Sequence, residues 1–107
     1  MSLLICACGS GENSRLRDVA RTRQCRANMN ILCTDQAVYH MLHGNWCQSI
    51  AELDAEADRP VPLVCPLDDQ EYVMAVDSTG YTIACPSGVH GSVNMGQPSW
   101  HEGSDCD

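Results

Sequence analysis

Eight cysteines and four histidines in 107 residues are the side chains with the most chemistry to offer. Thiols can crosslink, hold a soft metal or attack a substrate, and their spacing decides which. The tightest pair is Cys6-Ala7-Cys8, and no Cys-x-x-Cys occurs, so neither zinc-ribbon nor thiol-redox spacing is present. His40, His43, His90 and His101 could each serve a thiol as base, but none stands in a nucleophile motif, and no enzymatic activity is expected. Small cysteine-rich chains usually work where disulfides persist, which points to an extracytoplasmic, disulfide-stabilised protein.

Cys25 and Cys33 fall on one helical stretch, about 12 Å apart along its axis, too far to bond to each other. Cys65 and Cys85 are each followed by proline and bracket a hairpin, so a crosslink there would clip the sheet and stabilise it by about 3 kcal/mol. Cys47 can reach back toward Cys33, which leaves Cys106 for Cys25; otherwise these remain buried thiols. Zinc on Cys65, Cys85 and His90 is set aside, because a disulfide between the two cysteines would remove the thiolates zinc requires. Asp68, Asp69, Glu102, Asp105 and Asp107 offer hard oxygen ligands for calcium in loops, but no Asp-x-Asp-x-Asp-Gly run is present, and solvated surface acids are the simpler reading. No resident cofactor is therefore expected.

A net charge of -8 argues against nucleic acid as the main partner. The charge is uneven, since five of the six cationic residues are Arg15, Arg17, Arg21, Arg23 and Arg26 and there is no lysine. This cluster is either a solvated helix face or a basic collar facing anionic lipid or an acidic neighbour. Trp46 and Trp100 are expected to pack in the core or in loops.

Gly9-Ser10-Gly11 marks a joint, after which Asn13 or Ser14 can cap a helix that runs without glycine or proline to His43. Cys25, Met29, Cys33, Ala37 and Met41, flanked by Leu32, Val38 and Leu42, give it one broad apolar stripe. Gly44 is its stop. Ser49-Ile50-Ala51-Glu52-Leu53 is a capping-box start to a short helix closed by Arg59-Pro60. Tyr72–Val76 and Tyr81–Cys85 are strands joined by Asp77-Ser78-Thr79-Gly80, with Gly80 expected at positive φ, and Leu63-Val64-Cys65 could add an edge strand. The tail from Ser87 reads as loop. The fold class is α+β: one long amphipathic helix packed on a small antiparallel sheet, with residues 14–107 as the globular domain and 1–13 as a residual anchor or linker.

Several of these pieces, in order, resemble the pilin-like subunits of type II secretion and competence systems. They are Cys25-Arg26-Ala27-Asn28-Met29, Tyr39, His43-Gly44-Asn45-Trp46, Ser49–Leu53, Cys65-Pro66, Tyr72, Tyr81 and Cys85-Pro86 with His90-Gly91, spanning about residues 25 to 91. Trp46-Cys47 stands where that family has an aromatic residue and proline. The resemblance implies a non-enzymatic assembly subunit, a pseudopilin or type IV pilus component, whose head sits on a longer helix anchored in the membrane. Its partners would be copies of itself or related subunits, and its location periplasmic or cell-surface. Leu4-Ile5-Cys6-Ala7-Cys8-Gly9 is also close to a lipobox, with Cys8 as the lipidated residue. The alternatives are accordingly a lipid-anchored periplasmic binding module and a small zinc-stabilised domain.

Overall fold

A computed structural model describes residues 13–101, with side chains from residue 16 onward. The anchor segment and Cys6, Cys8 and Cys106 lie outside the described residues. The chain forms a long helix α1 (Asn13–His43), a short helix α2 (Ile50–Glu56) and four strands. These are β1 (Val73–Asp77), β2 (Gly80–Ala84), β3 (Ser92–Asn94) and β4 (Gln97–Pro98), all antiparallel in the order β1-β2-β3-β4. The α+β class expected from the sequence is the class observed. At 31 residues α1 is about 46 Å long, and it accounts for the molecule's longest dimension of 47 Å. The sheet and α2 pack on its C-terminal portion, so the helix is a stem carrying a head.

The inner face of α1 buries Cys25, Asn28, Met29, Leu32, Cys33 and Gln36 against Leu53, Ile83 and Val93. The expected stripe continued through Ala37 and Met41, but both are exposed, as are Val38 and Leu42. Steps of four residues gain about 40° each on a helix of 3.6 residues per turn, so a strict four-residue row winds off the core within a few turns. The buried row instead mixes steps of three and four, and it includes two amides.

Gln36 is one of those amides and is fully buried. Its Nε2 donates to the Cys47 carbonyl and its Oε1 accepts from the Cys47 amide, both at 2.9 Å, like a single rung of sheet. Gly44, whose amide donates to the His40 carbonyl at 2.8 Å, ends α1 and lets the chain turn back to this rung. Ser49 then caps α2, accepting from the Glu52 amide at 3.1 Å while its hydroxyl meets the Glu52 carboxylate, the capping box read from the sequence. Past α2, Arg59 bridges Asp54 at 2.6 Å and Asp35 of α1 at 2.7 Å, tying the two helices together.

The hairpin of β1 and β2 pairs Asp77 with Gly80. Its corner is held by the Asp77 carboxylate, which accepts from the Thr79 hydroxyl at 2.6 Å and from the Thr79 and Gly80 amides. Those bonds hold the Asp77 carboxyl below its ordinary range. Gly80 is not at positive φ, contrary to expectation; a Cβ there would run into the Met95 side chain, so space demands the glycine. The tail is not simply loop. Val93 is fully buried, and Met95 and Gly96, at φ 52 and 84, turn β3 tightly into β4. Strands of three and two residues are too short to leave a periodic signal. Leu63-Val64-Cys65 contributes only one bridge, Val64 to Glu71.

Gln36→Leu should strand both polar groups of Cys47 and lower stability by about 3 kcal/mol in denaturant unfolding, whereas Ala37→Ser on the exposed side should shift it by less than about 0.5 kcal/mol.

Candidate metal centre

Cys25 stands midway along α1, Cys65 in the turn before β1, Cys85 just past the end of β2, and His90 in the loop between β2 and β3. The fold brings them together in the core, with their ligand atoms all within 4.8 Å of one another and each residue buried. The Sγ atoms of Cys65 and Cys85 are 3.7 Å apart, and each lies 3.5 Å from His90 Nδ1. For tetrahedral zinc with Zn–S of about 2.3 Å and Zn–N of about 2.05 Å, the ligand-to-ligand edges are about 3.8 Å for two sulfurs and about 3.6 Å for sulfur and nitrogen. Three of the four side chains therefore already stand at tetrahedral spacing.

The local backbone is built for thiolates. Both Cys-Pro-x segments direct an amide at the sulfur, that of Leu67 at Cys65 Sγ and that of Ser87 at Cys85 Sγ, each two residues past the cysteine. The first turn closes through the Asp69 amide to the Cys65 carbonyl at 2.8 Å, the second through the Gly88 amide to the Cys85 carbonyl at 3.0 Å. Burial pushes the Cys85 thiol up, but the Ser87 hydroxyl, the His90 and Ser87 amides and the Cys65 thiol outweigh it and hold Cys85 down to about 6. Burial pushes Cys25 and Cys65 up. Of the three thiols, Cys85 is thus the one whose surroundings favour the thiolate. A divalent cation would displace the protons of the other two.

A surrounding layer positions the ligands. The Tyr72 hydroxyl, 3.3 Å from both Cys25 Sγ and the Cys25 carbonyl, donates toward them and accepts from Asn28 Nδ2 at 3.2 Å. Asn28 Nδ2 also donates to the Val64 carbonyl at 3.1 Å, beside Cys65. Arg26 Nε donates to the His90 carbonyl at 3.0 Å while its guanidinium lies 4.7 Å over the Trp100 ring. Gly91, at φ 99, packs so closely under Ser99 and Trp100 that a Cβ would clash with the Ser99 hydroxyl.

Two expectations are corrected here. The five described cysteines, Cys25, Cys33, Cys47, Cys65 and Cys85, are all free thiols. A sulfur separation of 3.7 Å between Cys65 and Cys85 is far beyond the bond length of about 2.05 Å, so the sheet is not clipped by a disulfide. Cys33 and Cys47 are buried separately, and the Cys47 thiol donates to the Ser49 carbonyl at 3.3 Å. The expectation of no cofactor also fails, because Cys25, Cys65, Cys85 and His90 form a buried candidate metal site. The missing signal was topological. Each knuckle supplies one cysteine rather than two, and Cys25 and His90 complete the set from other elements.

The remaining candidates separate. Arg17, Arg21 and Arg23 are exposed on the stem, with Arg21 3.8 Å from Asp18, whereas Arg26 belongs to the layer around the metal site; the Arg15 side chain lies outside the described residues. Asp68 caps its own turn by accepting from the Gln70 amide at 3.2 Å, and Asp69 takes a left-handed φ of 57. Glu102 and Asp105 lie outside the described residues, as does Cys8. Among the described residues, the four-residue cluster is the one group of three or more metal-ligating side chains, and no helix is long and apolar enough to cross a membrane.

No protein-family model matches this chain, and no curated protein or solved structure matches it.

Tyr72→Phe removes the hydroxyl facing Cys25 while keeping the ring. It should weaken zinc binding by about tenfold in competition with a chromogenic chelator, while Cys33→Ser leaves affinity unchanged.

Proposed function

We propose that this chain is a non-catalytic binding and assembly module whose head is fastened to its stem helix by structural zinc held on Cys25, Cys65, Cys85 and His90. The observation that carries this reading is the ligand set itself: three thiols and an imidazole, all buried and within 4.8 Å of one another, three of them at tetrahedral spacing. Catalytic zinc keeps a coordination position open to substrate, whereas four protein ligands close the sphere and leave the metal a structural role. Zinc is favoured over calcium because the donors are sulfur and nitrogen. The surroundings fit this role, since the Tyr72 hydroxyl and the two turn amides direct donors at the sulfurs.

The pilin-like reading is compatible with this one and draws support from the shape, a small head on the C-terminal part of a helix that runs the length of the molecule. In that reading the chain is an extracytoplasmic assembly subunit, tethered from the side of its N-terminal end, and the metal replaces the disulfide as the fastener.

The test is elemental analysis and mass spectrometry of protein purified without chelator, followed by unfolding with and without a strong chelator. One zinc per chain is expected, with loss of cooperative unfolding on chelation and in Cys65→Ser. Structural zinc contributes about 10 kcal/mol or more, comparable with a whole small domain's stability. A metal-free chain that carries a Cys65–Cys85 crosslink and unfolds identically in chelator would sink the proposal.

A further inference from the structure

The face of α1 that the head does not cover carries its own apolar row. Leu16, Ala20, Ala27, Ile31, Val38 and Leu42 are all exposed, Leu42 by 65% and Leu16 by 48%. At about 100° per residue they fall within a sector of about 80°, centred roughly opposite the row that buries Cys25, Met29 and Leu32. The row runs for about 39 Å along the helix, far longer than a chance apolar spot.

We infer that this outer face pairs with the same face of a second copy, the two α1 helices running antiparallel about a two-fold axis. The row is self-complementary in that direction alone. Centring the axis midway between Leu16 and Leu42 sets Leu16 against Leu42, Ala20 against Val38 and Ala27 against Ile31, a small residue facing a large one at two levels out of three. Charge selects the same orientation. Arg17 and Arg21 flank the row at its N-terminal end, and α2, with Glu52 and Glu56, flanks it on the same side at the other end, where Val38 and Leu42 border Glu56. In an antiparallel two-fold pair, like flanks face each other. Each copy's arginines then meet the other's α2 acids, twice over, whereas a parallel pair sets unlike flanks together and makes neither contact. This inference rests on the assembly reading for its meaning but not on its pilin-like form, in which stems tethered at the same end run parallel, and its residues are none of the metal ligands.

Sedimentation equilibrium on the zinc-loaded chain should give a dimer, and Ile31→Glu, beside the axis, should weaken it by about a hundredfold. Arg17→Glu with Arg21→Glu, or Glu52→Arg with Glu56→Arg, should each weaken self-association by about tenfold, and mixing the two variants should restore dimers as a heterodimer. Far-UV circular dichroism and zinc content, unchanged in every variant, confirm that the fold is intact. A wild-type monomer up to millimolar concentration, a dimer indifferent to Ile31→Glu, or charge variants that do not rescue each other would each overturn the inference. A folded dimer free of zinc would leave it standing and overturn the metal reading instead.

Discussion

The convergence of Cys25, Cys65, Cys85 and His90 is the constraint on which the other packing in this molecule depends. The sheet is slight, with strands of five, five, three and two residues, and a sheet of that size needs an external fastener. The four side chains come from the helix, the pre-sheet turn, the end of β2 and the following loop, so a single ion bound there would join every layer of the head. Three sulfurs and an imidazole packed together without a metal are a poor core. They are polar, and burial raises two of the thiols. With a metal, the same atoms become the strongest crosslink available to a chain lacking disulfides among its described residues.

The far end of the head is held by different means. There Gln36 closes a two-bond rung with Cys47, and Arg59 reaches from the end of α2 to Asp35 and Asp54. Burial opposes the Arg59 charge, but the two carboxylates outweigh it and hold its ionisation above the ordinary value. These interactions rank below the metal cluster, because a buried amide rung is worth a few kcal/mol at most and a half-buried ion pair less. They also bring His40 onto Trp46, with centroids 4.0 Å apart, and Trp46 onto Tyr81 at 5.0 Å, closing the apolar seam between α1 and β2. The head thus gathers its candidate metal ligands at one end and is held by a specific set of polar contacts at the other.

Local signals in the sequence carried the helices, the capping box at Ser49, the Gly44 stop and the first hairpin, because each depends on residues within a few positions of one another. Non-local features were harder to read. Asn28 and Gln36 look like solvent-facing amides, and only their distant partners, Tyr72 with Val64 and Cys47, explain their burial. The cysteines misled for the same reason. Cys65-Pro66 and Cys85-Pro86 suggested a bonded pair, which set aside the zinc grouping with His90, whereas each proline begins a turn that directs an amide at the sulfur, and only the fold shows that Cys25 arrives beside them as the fourth ligand. The second hairpin was hidden by the brevity of β3 and β4.

The two faces of α1 are linked through this arrangement. A helix packed on a sheet by apolar contact alone can rotate or slide by a residue with modest loss, since one buried methyl group resembles another. Cys25 cannot, because a rotation of one residue, about 100°, would carry its sulfur away from Cys65, Cys85 and His90. Asn28 and Arg26 add the same restriction through hydrogen bonds to Val64 and to the His90 carbonyl. The inner ligands therefore fix the azimuth of the whole stem, and with it the direction in which Ile31, Val38 and Leu42 face outward. The same rigidity gives the basic stem and the acidic α2 a constant relation, which a flexibly packed helix of the same composition would lack.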